Sequence, residues 1–139
     1  MSDRPSTTDR SDREEAVGGS YFASLAQASY LLLTPFRPKG APVSTRVQGI
    51  VDGDRAYVRV WSRSGTVKHL RHTDVVQVRA CNALGLVSYG PSLYAAARLL
   101  ADEEASRVAG QLARRYPVQR RFLARLLRRT PVHYELLAP

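Results

Sequence analysis

Cysteine is almost missing from this chain. Among 139 residues there is one, Cys81, so no internal disulfide can form and no Cys pair offers metal-ligand spacing. Histidine is nearly as scarce, with His69, His72 and His133 making up the full set. His69 and His72 stand three apart on a short helical stretch, but the third histidine is distant and no carboxylate is in register. We therefore expect no metal site. There is no Walker P-loop and no Gly-x-Gly-x-x-Gly, which removes the common nucleotide cradles. No apolar run approaches a membrane span. The first residues are charged and lack an apolar h-region, so a secretory signal is not expected either. With so little cysteine, these absences agree with a cytoplasmic protein that has no membrane partner.

What is present suits one small domain. The chain is 44% hydrophobic, enough for a core that leaves much surface exposed. Enclosing a large ligand within so small a core is difficult, and a site shared between subunits is attractive. The net charge is +9, and nearly all the cationic residues are arginine; Lys39 and Lys68 are the two lysines. Such a balance fits an acidic ligand or nucleic acid, or follows from a GC-rich genome. Residues 1–17 are polar, charged and without apolar periodicity, which predicts a disordered tail; the folded domain is expected over 18–139.

The segment from Val43 to Arg71 organises the rest. Asp52-Gly53 stands between two alternating runs, and this pair is a strong hairpin signal because its turn needs a positive φ. Val43, Thr45 and Val47 alternate with Ser44, Arg46 and Gln48. Ala56, Val58 and Val60 alternate with Tyr57, Arg59 and Trp61, so one face of each strand is expected inside and the other available. Ser62-Arg63-Ser64-Gly65-Thr66 then leads into a short helix, with Ser64 as its N-cap and Val67 and Leu70 inward. Hydroxyls at Ser62, Ser64 and Thr66 beside Arg63, Lys68 and Arg71 suit an anion, most simply a phosphate; an ordinary capped helix with a solvated basic face is the plainer alternative. Trp61 and Tyr57 share a strand face with Arg59, which suits stacking of a flat ligand or, equally, a subunit interface.

Around this centre the pattern predicts a short helix at Phe22–Ala26 and a strand at Tyr30–Thr34. It predicts further strands at Val75–Cys81, within Leu86–Leu100, and at Val132–Leu136. Gly90-Pro91 marks a bend or bulge in the long run. Asp102-Glu103-Glu104 opens one helix and Pro117 another, whose free surface is rich in arginine. That last helix could meet nucleic acid, but the arginines are spread along the chain and no single-strand-binding motif emerges, so nucleic acid ranks last among the partners. Six strands joined mostly by short turns favour antiparallel pairing, and a small mainly-β barrel with about four helices follows.

The runs YLLLTPFRPKGAPVST, VDGDRAYV, WSRSGTVKHLRHTD, VRACNALG and AARLLADEEA, in this order and spacing, resemble the split-barrel flavin- and deazaflavin-binding family related to pyridoxamine phosphate oxidase. The similarity is greatest to its small actinobacterial branch described as F-420-dependent. It implies a six-stranded antiparallel split β-barrel that forms a homodimer, with the cofactor in a groove between subunits. It also implies a hydride-transferring oxidoreductase acting on a small planar or unsaturated molecule, with coenzyme F-420 or alternatively FMN. On this resemblance Thr45, Arg46 and Val47 lie beside the ring and Ser62, Ser64, Thr66 and Lys68 surround the phosphate; Trp61, His69 and Arg71 are further expected cofactor-binding residues. The sequence departs from the branch where a phosphate-binding lysine becomes Thr66 and where a proline and a tryptophan of the second strand become Arg46 and Gln48. A threonine can hydrogen-bond a phosphate but cannot neutralise it. These departures motivate a further alternative, a barrel that has lost its redox cofactor and serves as a non-redox enzyme or a binding protein. No catalytic side chain is assigned, because in such enzymes the cofactor carries the chemistry.

Overall fold

A computed structural model describes residues 20–36, 43–62, 65–70, 73–116 and 130–139. The expected tail, Arg63, Ser64, Arg71, His72 and the arginine-rich helix after Pro117 lie outside the described residues, as does the side chain of His69.

The chain enters through a 3-10 helix, Ser20–Leu25. Six strands follow: β1 (Tyr30–Pro35), β2 (Thr45–Asp52), β3 (Arg55–Trp61), β4 (Val75–Cys81), β5 (Ser88–Leu99) and β6 (Pro131–Leu137). Helix α1 (Gly65–Leu70) lies between β3 and β4, and α2 (Asp102–Arg115) follows β5. Every strand pair is antiparallel, and the order β1-β2-β3-β6-β5-β4 closes into a barrel. Asp52 pairs with Arg55 around a two-residue turn in which Gly53 has φ 65°. A side chain there would occupy the left-handed region, which explains the glycine.

The inner wall follows the alternation of each strand. Leu31 and Leu33, Val47, Ala56, Val58 and Val60, Val76 and Val78, and Leu136 meet inside, and Phe22 and Val67 join them from the two short helices. Each of the valine, leucine and phenylalanine side chains contributes roughly 1.5–3 kcal/mol through burial. Among the described residues, no helix is long and apolar enough to cross a membrane.

Strand β3 departs from the expectation of one available face. Tyr57 and Arg59, on its outer face, are buried too, at 5% and 8% exposed. For Tyr57 the cause is a second layer outside the barrel. There α2 lays Val108 and Leu112 against Tyr30, Tyr57 and Cys81, so the strand is covered on both sides.

The barrel also has a seam. Ladder pairs between β1 and β2 run from Leu33↔Thr45 to Leu31↔Val47, and two positions further the same register would match Ser29 with Gly49. There the Tyr116 hydroxyl stands between the strands. It accepts the Gly49 N–H at 3.1 Å, and lies 2.9 Å from the Ser29 carbonyl and 3.1 Å from the Gly49 carbonyl, either of which it can donate to. Gly49 is required for close approach, since a Cβ would come within 2.5 Å of Leu31 Cδ1.

Candidate functional site

The two ends of β2 and β3 nearest α1 hold the expected cofactor residues, and the structure sorts them by direction. Val47 is buried in the barrel core. Thr45 is half-buried and accepts a 3.0 Å hydrogen bond from the Thr66 hydroxyl. Thr66 is 2% exposed, so its hydroxyl ties α1 to β2 and is turned away from solvent. Lys68, two residues on, is exposed. At about 100° per residue, positions two apart point to opposite sides of a helix, which explains the contrast. Trp61 and Ser62 are half-buried at the end of β3, and the Ser62 N–H donates to the Thr130 carbonyl at 2.9 Å.

Arg46 lies on the outside of the barrel. Its guanidinium rests on the Tyr30 ring, 4.3 Å from the centroid, and donates to the Ala83 carbonyl. A cation held over an aromatic face and a carbonyl is largely committed. Of the described expected residues, Thr45 and Thr66 are therefore brought into contact, Trp61 and Ser62 adjoin in sequence, and Arg46 and Val47 face opposite sides of β2.

Two polar groupings on the outer face were not anticipated from sequence. Gln48, Arg59 and His133 form one row across β2, β3 and β6, each at least nine-tenths buried. Arg59 donates through Nε to His133 Nε2 at 3.2 Å and through Nη1 to Gln48 Oε1 at 3.3 Å. An imidazole nitrogen that accepts a hydrogen bond must be unprotonated, so His133 is neutral with its proton on Nδ1. Burial, reinforced by the Arg59 charge, lowers its pKa to about 4.

One row further, Glu135 is 1% exposed and receives hydrogen bonds at 2.8 Å from both Arg55 and Arg98. Burial pushes its carboxyl up, but the two arginines outweigh this and hold it below its usual value. Arg98 also pairs with Glu104 of α2 at 2.8 Å, so the network fastens the helix to the sheet. No group of three or more His, Cys, Asp or Glu among the described residues could hold a metal ion.

Comparison with solved structures places this architecture. A Listeria innocua protein provisionally named a pyridoxamine 5'-phosphate oxidase superposes with TM-score 0.57 at 15% identity, over 85% of this chain and 90% of that one. A Bacteroides thetaiotaomicron protein, provisionally named a 5-nitroimidazole antibiotic resistance protein, gives TM-score 0.55 at 13% identity, over 98% and 80% of the two chains. The fold is the split barrel of pyridoxamine phosphate oxidase-like proteins. No family model matches the sequence, and no curated protein matches it.

Proposed function

We propose that this split barrel is a homodimeric oxidoreductase that binds coenzyme F-420, or alternatively FMN, in a groove between subunits. The observation that carries the reading is the closed six-stranded barrel with α1 inserted between β3 and β4 and Lys68 exposed upon it. Lys68 would hold the cofactor phosphate, with Ser62 beside it, and Trp61 would offer the ring a flat neighbour. When bound, the cofactor supplies hydride transfer. The chain's own part is to bind, orient and exclude water. The charge of +9 favours F-420, whose tail is acidic, over FMN. The substrate is a small planar or unsaturated molecule; the 5-nitroimidazole named for one structural neighbour is of that kind.

A non-redox reading has its own support. Three residues at which the sequence departs from the F-420 branch are engaged within the protein. Thr66 bonds Thr45, Arg46 bonds Ala83 and covers Tyr30, and Gln48 bonds Arg59. A barrel freed from a redox cofactor could use such positions for its own packing.

Fluorescence titration with F-420 and FMN separates the readings. Saturable binding of either, at one site per subunit, is expected. Lys68→Ala should weaken it about tenfold or more, the loss of a charge-assisted contact. Thr66→Val should leave affinity unchanged, because its hydroxyl faces Thr45. Absence of binding to both cofactors overturns the redox proposal and favours the non-redox one.

A further inference from the structure

On the side of the barrel formed by β1, β4 and β5, the outer face carries a cleft of about 240 Å³. Its walls include Leu32, Thr34, Ser44, Gln77, Arg79 and Ser92. The cleft is produced by a register shift. Val78 pairs with Leu93 but Ala80 pairs with Tyr89, so Gly90, Pro91 and Ser92 of β5 stand opposite Arg79 alone. The extra residues bow β5 away from β4, and the cleft opens over this stretch, while the Val78 side chain stays buried in the core. Gly90 has φ 73°, and its carbonyl accepts a 2.7 Å hydrogen bond from Arg79 Nε. The bulge and the guanidinium hold one another in place.

That bond uses one edge of the Arg79 fork. Among the described residues, its two terminal nitrogens have no protein partner. The walls contain this one cation and no carboxylate. Leu32, which pairs with Arg79, lies beside it as an apolar surface, and the Thr34 and Ser44 hydroxyls, 2.7 Å apart, offer further hydrogen bonding. A fixed planar fork with free N–H donors matches the two oxygens of a carboxylate. The volume is below the ~300–1,000 Å³ of drug-sized sites, which suits a single ring or short chain.

We propose that this cleft binds a small monocarboxylate, its oxygens on the terminal nitrogens of Arg79 and its apolar body against Leu32. Lys68 is not among the walls of this cleft, and the proposal does not depend on a redox cofactor.

The test is a titration of the ¹⁵N-labelled full chain with benzoate, followed by amide shifts, with benzamide as the uncharged counterpart. Benzoate should shift Thr34, Gln77, Arg79 and Ser92 saturably, and benzamide should bind about tenfold or more weaker. Arg79→Gln should weaken benzoate to a similar degree. Arg79→Lys, which keeps the charge but not the fork, should fall between, and it remains informative if the glutamine variant does not fold. Lys68→Ala should bind benzoate as the parent does. No saturable shift, equal binding of benzamide, or full affinity in Arg79→Lys overturns the proposal.

Discussion

At the scale of single residues, buried polar groups decide how this protein responds to its surroundings. His133 titrates near 4 in the folded chain, against about 6.5 for a free imidazole. Above pH 6.5 it is neutral folded or unfolded and costs nothing. As pH falls from 6.5 towards 4, the unfolded chain takes up a proton that the folded one refuses, and stability declines by about 3 kcal/mol in total. Glu135 is also depressed in the folded state, so its contribution is present above the ordinary carboxylate value and is lost as pH falls below it, leaving the range from pH 7 to 5 to His133. Urea midpoints at pH 7, 6 and 5 should therefore fall progressively, and His133→Gln should flatten the decline. An unchanged decline in that variant would remove His133 as its cause. Little of this was legible in the sequence. Arg59 and His133 are 74 positions apart, and nothing local to either announces the partner. The same holds for Thr66, whose hydroxyl bonds Thr45 from 21 positions away.

At the scale of elements, local chemistry was informative and tertiary layering was not. The Asp52-Gly53 turn, the alternating inner residues of β2 and β3, and the Gly90-Pro91 bulge all follow from short-range rules, and the structure has each of them. The cover that α2 lays over Tyr57 could not be read from β3, because a strand's own alternation does not say whether a helix will land on its outer face. The seam between β1 and β2 shows how the helix end completes the sheet. Tyr116 follows α2 directly, and its hydroxyl accepts the Gly49 N–H and donates to the Ser29 or the Gly49 carbonyl. Tyr116→Phe keeps the ring beside Tyr30 and removes the bridge. The expected cost is roughly 1–3 kcal/mol, since buried backbone groups lose a partner. Denaturant unfolding measures it; a change under about 0.5 kcal/mol would show that the seam closes without the hydroxyl.

At the scale of the whole molecule, the unusual feature is apolar surface at one end of the barrel. Leu84, Leu86 and Val87 are 74%, 80% and 57% exposed, and Tyr89 is 45% exposed at the adjoining start of β5. Patches of this kind mark interaction surfaces more often than free surface. The proposed homodimer would cover them. Sedimentation equilibrium should give a mass near twice 15.4 kDa, and Val87→Asp should shift the population towards monomer, because an unpaired carboxylate is costly in an interface. A parent protein that sediments as a monomer would remove the shared groove from the functional proposal.

The scarcity of cysteine has one last experimental use. Cys81 is fully buried on the outer side of the sheet, in the layer that Val108 and Leu112 complete. Burial also holds its thiol above the usual range, so little reactive thiolate forms while the helix is seated. An aromatic disulfide reagent then reacts when α2 lifts from the barrel or when the barrel itself opens. Because the chain has a single thiol, the labelling curve contains one event. Its rate, compared with that of global unfolding, times the departure of the helix without any engineered probe.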